Sequence, residues 1–114
     1  MAMFEWHRLF ETSIAVNASD ILLIAGRPPF LRHEKFLRMV AIPPLTDSEI
    51  GAMLRLLSPA ADVPPEHTGD VTFMTSYKTW RFLVNAFGLP TPVFANLMRQ
   101  PGESSEQDRR DLGL

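Results

Sequence analysis

Apolar residues recur at helical spacing in two stretches of this chain, and alternate or run together in the others. Residues 3–16 place Phe4, Leu9, Phe10 and Ile14 on one broad face, with Glu5, Arg8 and Glu11 turned to water. That pattern predicts an amphipathic helix, with Asn17 as its stop. Trp6 and His7 fit neither face clearly. Asp20 to Ala25 is a short apolar run of branched residues closed by Gly26-Arg27-Pro28-Pro29, which reads as a buried strand entering a turn. Phe30-Leu31-Arg32 resumes the extended chain, His33-Glu34 is read as a tight connection, and residues 35–40 return as a strand.

Pro43-Pro44 closes that region. Thr46-Asp47-Ser48-Glu49 follows as a capping box, in which hydroxyl and carboxylate each satisfy a free amide of the helix start. Ile50, Met53, Leu54 and Leu57 then repeat at helical spacing, and Ser58-Pro59 ends the helix. Residues 59–69 are rich in proline and read as a loop. Residues 70–75 alternate as a strand, Ser76-Tyr77-Lys78 is the expected turn, and residues 79–87 return to complete a hairpin. After Gly88-Leu89-Pro90-Thr91-Pro92, residues 93–98 form a last strand, expected at a sheet edge because Pro92 opens it. The elements do not alternate as βαβ units. The expected fold is therefore α+β, an antiparallel sheet of about five or six strands with helices packed on one face.

Composition narrows the function classes. The chain has 114 residues, a length suited to one domain, with 46% hydrophobic residues and a net charge of −2. Both charge signs are dispersed, so no basic stripe predicts nucleic-acid binding. There is no cysteine, which removes disulfides, thiolate catalysis and cysteine-based metal sites. No apolar run approaches the ~20 residues of a membrane-spanning helix. The charged first residues do not read as a secretory leader. Together these features read as a soluble, cytoplasmic domain with no membrane insertion.

Catalytic patterns are missing from these residues. No Gly-x-x-x-x-Gly-Lys-Ser/Thr loop is present to cradle phosphates, so the P-loop route to ATP hydrolysis is closed to these 114 residues. Neither Gly-x-Ser-x-Gly nor His-Glu-x-x-His occurs. His7, His33 and His67 lack ligand spacing and read as surface histidines. Glu66, His67 and Asp70 read better as a solvated proline-rich loop than as an acid/base or metal cluster. The expectation is no catalytic residue, no metal and no cofactor.

One set of motifs points to a family. Ala18-Ser19-Asp20 opens the first strand, Ala25-Gly26-Arg27-Pro28-Pro29 closes it, and Arg32 ends the next. Pro43-Pro44-Leu45 precedes the capped helix, Asp70-Val71-Thr72-Phe73 starts a strand, Arg81-Phe82-Leu83-Val84-Asn85-Ala86-Phe87 forms another, and Arg99-Gln100-Pro101 closes the region. In this order the set resembles the N-terminal domain of PilT-type ATPases of type II and IV secretion and type IV pilus retraction (twitching motility). The resemblance implies a PAS-like domain over residues 1–101, with 102–114 as a charged, disordered tail or linker start. The ending Asp111-Leu112-Gly113-Leu114 leans towards a natural end.

In that family, arginines of this domain are thought to reach nucleotide held by the motor domain. The implied role passes to Arg81 and Arg99, because the family's second strand arginine is Leu83 here and its first-strand histidine is Leu22. Strand alternation puts Trp80, Phe82, Val84 and Ala86 on one face and Arg81, Leu83, Asn85 and Phe87 on the other. Two guanidinium forks two residues apart would grip phosphate; Leu83 removes one fork and adds apolar surface beside Phe87. The candidate nucleotide edge or interface is thus Arg81, Leu83, Asn85, Phe87, Arg99 and Arg32. Arg81 also reads as an ordinary charge on a solvent face, and Asp20 as a local cap or partner.

Two functions follow as expectations. The first is a non-catalytic module that docks on, or regulates, the hexameric motor, with pilus or secretion ATPase subunits or its own copies as partners. The second is a PAS-like sensor of a nucleotide or other small ligand, with Arg81 and Arg32 as phosphate contacts.

Overall fold

The computed structural model describes residues 6–58 and 68–100. Helix α1 (Trp6–Ala15) leads into three strands, β1 (Asp20–Ile24), β2 (Phe30–His33) and β3 (Phe36–Met39). Helix α2 (Asp47–Leu57) separates these from β4 (Gly69–Tyr77), β5 (Trp80–Leu89) and β6 (Phe94–Gln100). The six strands form one antiparallel sheet in the order β3-β2-β1-β6-β5-β4. The expected α+β architecture is the one observed.

The position of β6 corrects the sequence reading. It was expected at an edge, yet it pairs with β1 on one side and β5 on the other. Pro92 lies outside the strand, which begins at Phe94, so its missing N–H takes no bond from either ladder.

Local chemistry explains the element ends. Asn17 takes the left-handed conformation (φ 57°), and the Asn17 and Ala18 amides donate back to the Ile14 and Ser13 carbonyls, closing α1. At α2 the Thr46 hydroxyl accepts from the Glu49 amide at 3.0 Å, and the Glu49 carboxylate accepts from the Thr46 amide at 2.9 Å. Thr46→Ala should therefore lower stability by about 1 kcal/mol, measured by urea unfolding, while Thr46→Ser should restore most of it. The β2–β3 turn falls on Glu34-Lys35, and the β4–β5 turn on Lys78-Thr79. Each lies one residue or more beyond the expected place. Glu34 (φ 55°) and Lys78 (φ 56°) adopt positive φ in place of the glycine or asparagine that normally marks such turns.

Both helices pack on the same face of the sheet. Phe10 of α1 stacks on Tyr77 and meets Phe82 edge-on, with ring centroids 5.1 and 4.8 Å apart. Trp6 is half-buried against the same rings. Ile50, Met53, Leu54 and Leu57 of α2 are buried, as their spacing predicts. The buried Thr75 hydroxyl donates to the Leu57 carbonyl and ties β4 to the end of α2. At the hairpin tip, Lys78 pairs with Glu11 of α1 at 2.6 Å; that hydrogen bond holds the Glu11 carboxyl below its ordinary value and raises Lys78. Residues 1–5, 59–67 and 101–114 lie outside the described residues, so the start of the expected first helix, the proline-rich loop with Glu66 and His67, and the tail expectation do too.

Candidate functional site

Strand alternation sends one set of side chains into the helix-covered core and the other onto the uncovered face. In β5, Phe82, Val84 and Ala86 are buried in the core, so Arg81, Leu83, Asn85 and Phe87 line the far face. In β6 the buried residues are Ala95 and Leu97, which assigns Phe94, Asn96, Met98 and Gln100 to the far face. Ile21 and Leu23 belong to the core, leaving Asp20, Leu22 and Ile24 opposite.

Register then assembles this face into rows. Leu83 lies between Met98 of β6 and Met74 of β4, forming an apolar band. Phe87 pairs with Phe94, their rings stacked with centroids 5.8 Å apart. Between these apolar groups runs a polar row. The Thr72 hydroxyl donates to Asn85 Oδ1 at 2.8 Å, Asn85 faces Asn96 across the ladder, and the Asn96 amide donates to Asp20 Oδ1 at 3.2 Å. The Ser19 hydroxyl donates to the other oxygen of Asp20 at 2.8 Å. Asp20 is buried, and these bonds compensate its carboxylate. It thus acts as the local partner its position suggested. Asn96 Oδ1 is buried without a hydrogen-bond partner.

The six residues singled out in the sequence divide between the two faces. Arg81, Leu83, Asn85 and Phe87 share the uncovered face. Arg81 stands opposite Gln100 and Ser76 and is itself engaged in an interaction. Arg32 pairs with Asp20 across β1 and β2 and so belongs to the same face. It lies three strands from Arg81, however, which is roughly 14 Å at about 4.8 Å per strand. Arg99 faces the other way. It pairs with core-facing Phe82, its guanidinium donates to Asn17 Oδ1 at 2.6 Å, and it lies 5.2 Å from the centre of the Trp80 ring. Its work there is to join the end of α1 to the sheet. The arginines are therefore not gathered around one point.

Sequence reasoning missed Asn96, Thr72, Met74, Met98 and Phe94. Their grouping depends on pairing between strands far apart in the chain. One signal was available: asparagine is depleted in strands, and two of them, Asn85 and Asn96, occur in these two. Among the described residues no group of histidine, aspartate and glutamate has the geometry to hold a metal ion. No described helix is long and apolar enough to cross a membrane.

An antiparallel sheet with both described helices on one side and a mixed apolar and polar face on the other defines an α+β domain. Among solved structures, the chain is similar to the pilus retraction motor PilT, crystallised with ADP, at 25% identity and a TM-score of 0.71. It is also similar in fold to the ATPase DotB of Legionella pneumophila, at 21% identity and a TM-score of 0.65. The likeness covers 88% and 89% of this chain but 30% of each of those chains. The fold resembles the N-terminal region of these ATPases. No protein-family model matches the sequence, and no curated protein does.

Proposed function

We propose that this domain is a non-catalytic docking module of a pilus-retraction or secretion ATPase, and that the uncovered sheet face is where it engages the motor. One observation carries the reading: the described helices cover one side of the sheet, and the other side presents Leu83, Met98 and the Phe87–Phe94 stack on either side of a hydrogen-bonded polar row. Apolar anchors on either side of a polar row suit a protein contact. Phe87 and Met98 are still 42% and 41% exposed, which leaves area for a partner to bury.

The arrangement of arginines supports docking over phosphate recognition. A phosphate needs donors converging within about 3 Å of its oxygens. Arg99 is on the opposite face, and Arg32 lies several strands from Arg81. Similarity to PilT and DotB supports a place in such a motor, whose subunits, or further copies of this chain, are the partners proposed. A cytoplasmic setting follows from the same reading.

The test is binding of this domain to a purified full-length retraction ATPase by calorimetry. Leu83→Asp should weaken binding by about 2 kcal/mol, as for a buried anchor residue, while leaving the melting temperature close to that of the parent. Leu83→Arg, which restores the family's paired arginines, should weaken it as well. An affinity unchanged by Leu83→Asp, or no binding by the parent domain, would sink the proposal.

A further inference from the structure

The two edges of the sheet differ in a way that neither the helices nor the uncovered face explains. Edge strand β4 is interrupted by a register shift between Gly69 and Val71, and its Thr75 is fixed to α2. Such irregularity discourages strand addition. Edge strand β3 has no register shift and no side-chain tie to a helix among the described residues. All four of its residues are exposed, with Phe36 at 71% and both Leu37 and Met39 at 57%.

The phase of the β2–β3 ladder fixes which backbone groups are open. The Val40 amide donates to the Pro29 carbonyl at 2.8 Å, so Pro29/Val40 is a hydrogen-bonded pair. Antiparallel pairs alternate, making Leu31/Arg38 and His33/Phe36 bonded pairs as well. The intervening residues, Leu37 and Met39, direct their N–H and C=O groups away from β2, along the free edge. Their side chains share the uncovered face. Phe36 and Arg38 lie on the helix side, where they and Val16, Leu31, His33 and Glu34 line a cleft of about 320 Å³.

Charge identifies the occupant. Arg32, Lys35 and Arg38 are exposed and make no ion pair or side-chain hydrogen bond among the described residues, with Glu34 the one acidic residue of the hairpin. The hairpin thus carries three cations against one carboxylate, Arg38 on the helix side and Arg32 on the uncovered face, on a chain of net charge −2. A second copy of β3 would bring its own Lys35 and Arg38 to this edge, and like charges set close together are destabilising. An acidic strand has no such conflict.

We propose that the free edge of β3 accepts an extended segment of a partner protein, alternating apolar and acidic residues, as a seventh strand. Its apolar side chains lie against Leu37 and Met39, and its carboxylates lie on the helix side near Arg38. Leu37 and Met39 share a face with Leu83 but lie four strands from it, roughly 19 Å at about 4.8 Å per strand, so the two assignments fail independently.

The test uses the 114-residue chain and two fluorescein-labelled octapeptides, one of alternating Glu and Val, the other of alternating Lys and Val. Fluorescence anisotropy should show binding of the acidic peptide, weakened by salt, and none of the basic one. Amide exchange at Leu37 and Met39 should slow when the acidic peptide is added. Leu37→Pro removes an outward N–H without breaking a bond to β2 and should weaken binding by about tenfold or more. Arg38→Glu, which keeps the backbone intact, should reverse the preference towards the basic peptide. Equal binding of the two peptides, no binding at millimolar peptide, protection of β4 amides in place of Leu37 and Met39, or an Arg38→Glu variant with unchanged preference would each overturn the proposal.

Discussion

Phe82→Ala should remove about 3–5 kcal/mol of folding free energy, the range for truncating a buried aromatic residue. Phe82 is 1% exposed and meets Phe10 edge-on, so its ring is, with that of Tyr77, where α1 rests on the sheet. Truncation leaves a cavity beneath Phe10 and also removes an aromatic pair worth about 0.5–1.5 kcal/mol beyond burial. A domain of this size holds only about 5–15 kcal/mol in total. The melting temperature should fall by roughly 15–30 °C. Phe87→Ala is the internal comparison. It lies on the same strand but the opposite face, at 42% exposure, and its principal loss is the stack on Phe94. It should cost no more than about 1.5 kcal/mol. Thermal unfolding of the two variants decides the matter: comparable losses would mean that the faces of β5 are assigned wrongly.

Gly51→Ala should also destabilise, against the usual trend for a helix interior. Alanine is ordinarily favoured over glycine there by about 0.8–1.0 kcal/mol. Here the helix packs closely on the turn after β5, and a methyl group at residue 51 would run into the Pro90 carbonyl and close on the Pro92 ring at 3.3 Å. A backbone carbonyl cannot swing aside as a long side chain would, so α2 must lift from the turn. Overpacking of this kind costs about 1–3 kcal/mol, enough to outweigh the gain in propensity. Chemical denaturation should show a lower midpoint for Gly51→Ala and a near-neutral effect for Ala52→Gly beyond ordinary propensity, since Ala52 is exposed. A raised midpoint for Gly51→Ala would show that the helix and the turn have room to part.

Local signals in the sequence carried the elements well. The capping box at Thr46, the helical stripe after it and the alternation through β5 each arise from chemistry within a few residues, and each is realised. Turn positions were less legible, because Glu34 and Lys78 adopt a conformation that side-chain type does not advertise. The order of strands could not be read locally at all. Pairing β6 with β1 joins residues seventy or more positions apart, and nothing near Phe94 declares that the strand lies at the centre. The candidate site shares that limit. Arg81, Leu83, Asn85 and Phe87 were recognisable as one row from their spacing alone. Their companions Met98, Asn96 and Phe94 depend on the register with β6, and the departure of Arg99 to the other face depends on the same register.

The central position of β6 also dictates when the domain can assemble as it is synthesised. The β1–β3 meander and the β4–β5 hairpin are each built from neighbouring segments, and each can pair as soon as its own residues have emerged. Within the sheet, nothing joins the two halves except β6, the last of its strands to be made. Until Gln100 has left the ribosome, β1 and β5 both present open edges, and only helix packing links the two parts of the sheet. The nascent chain therefore passes through an interval in which its sheet is two unfinished pieces, open to mispairing or to a chaperone, and a single strand ends that interval.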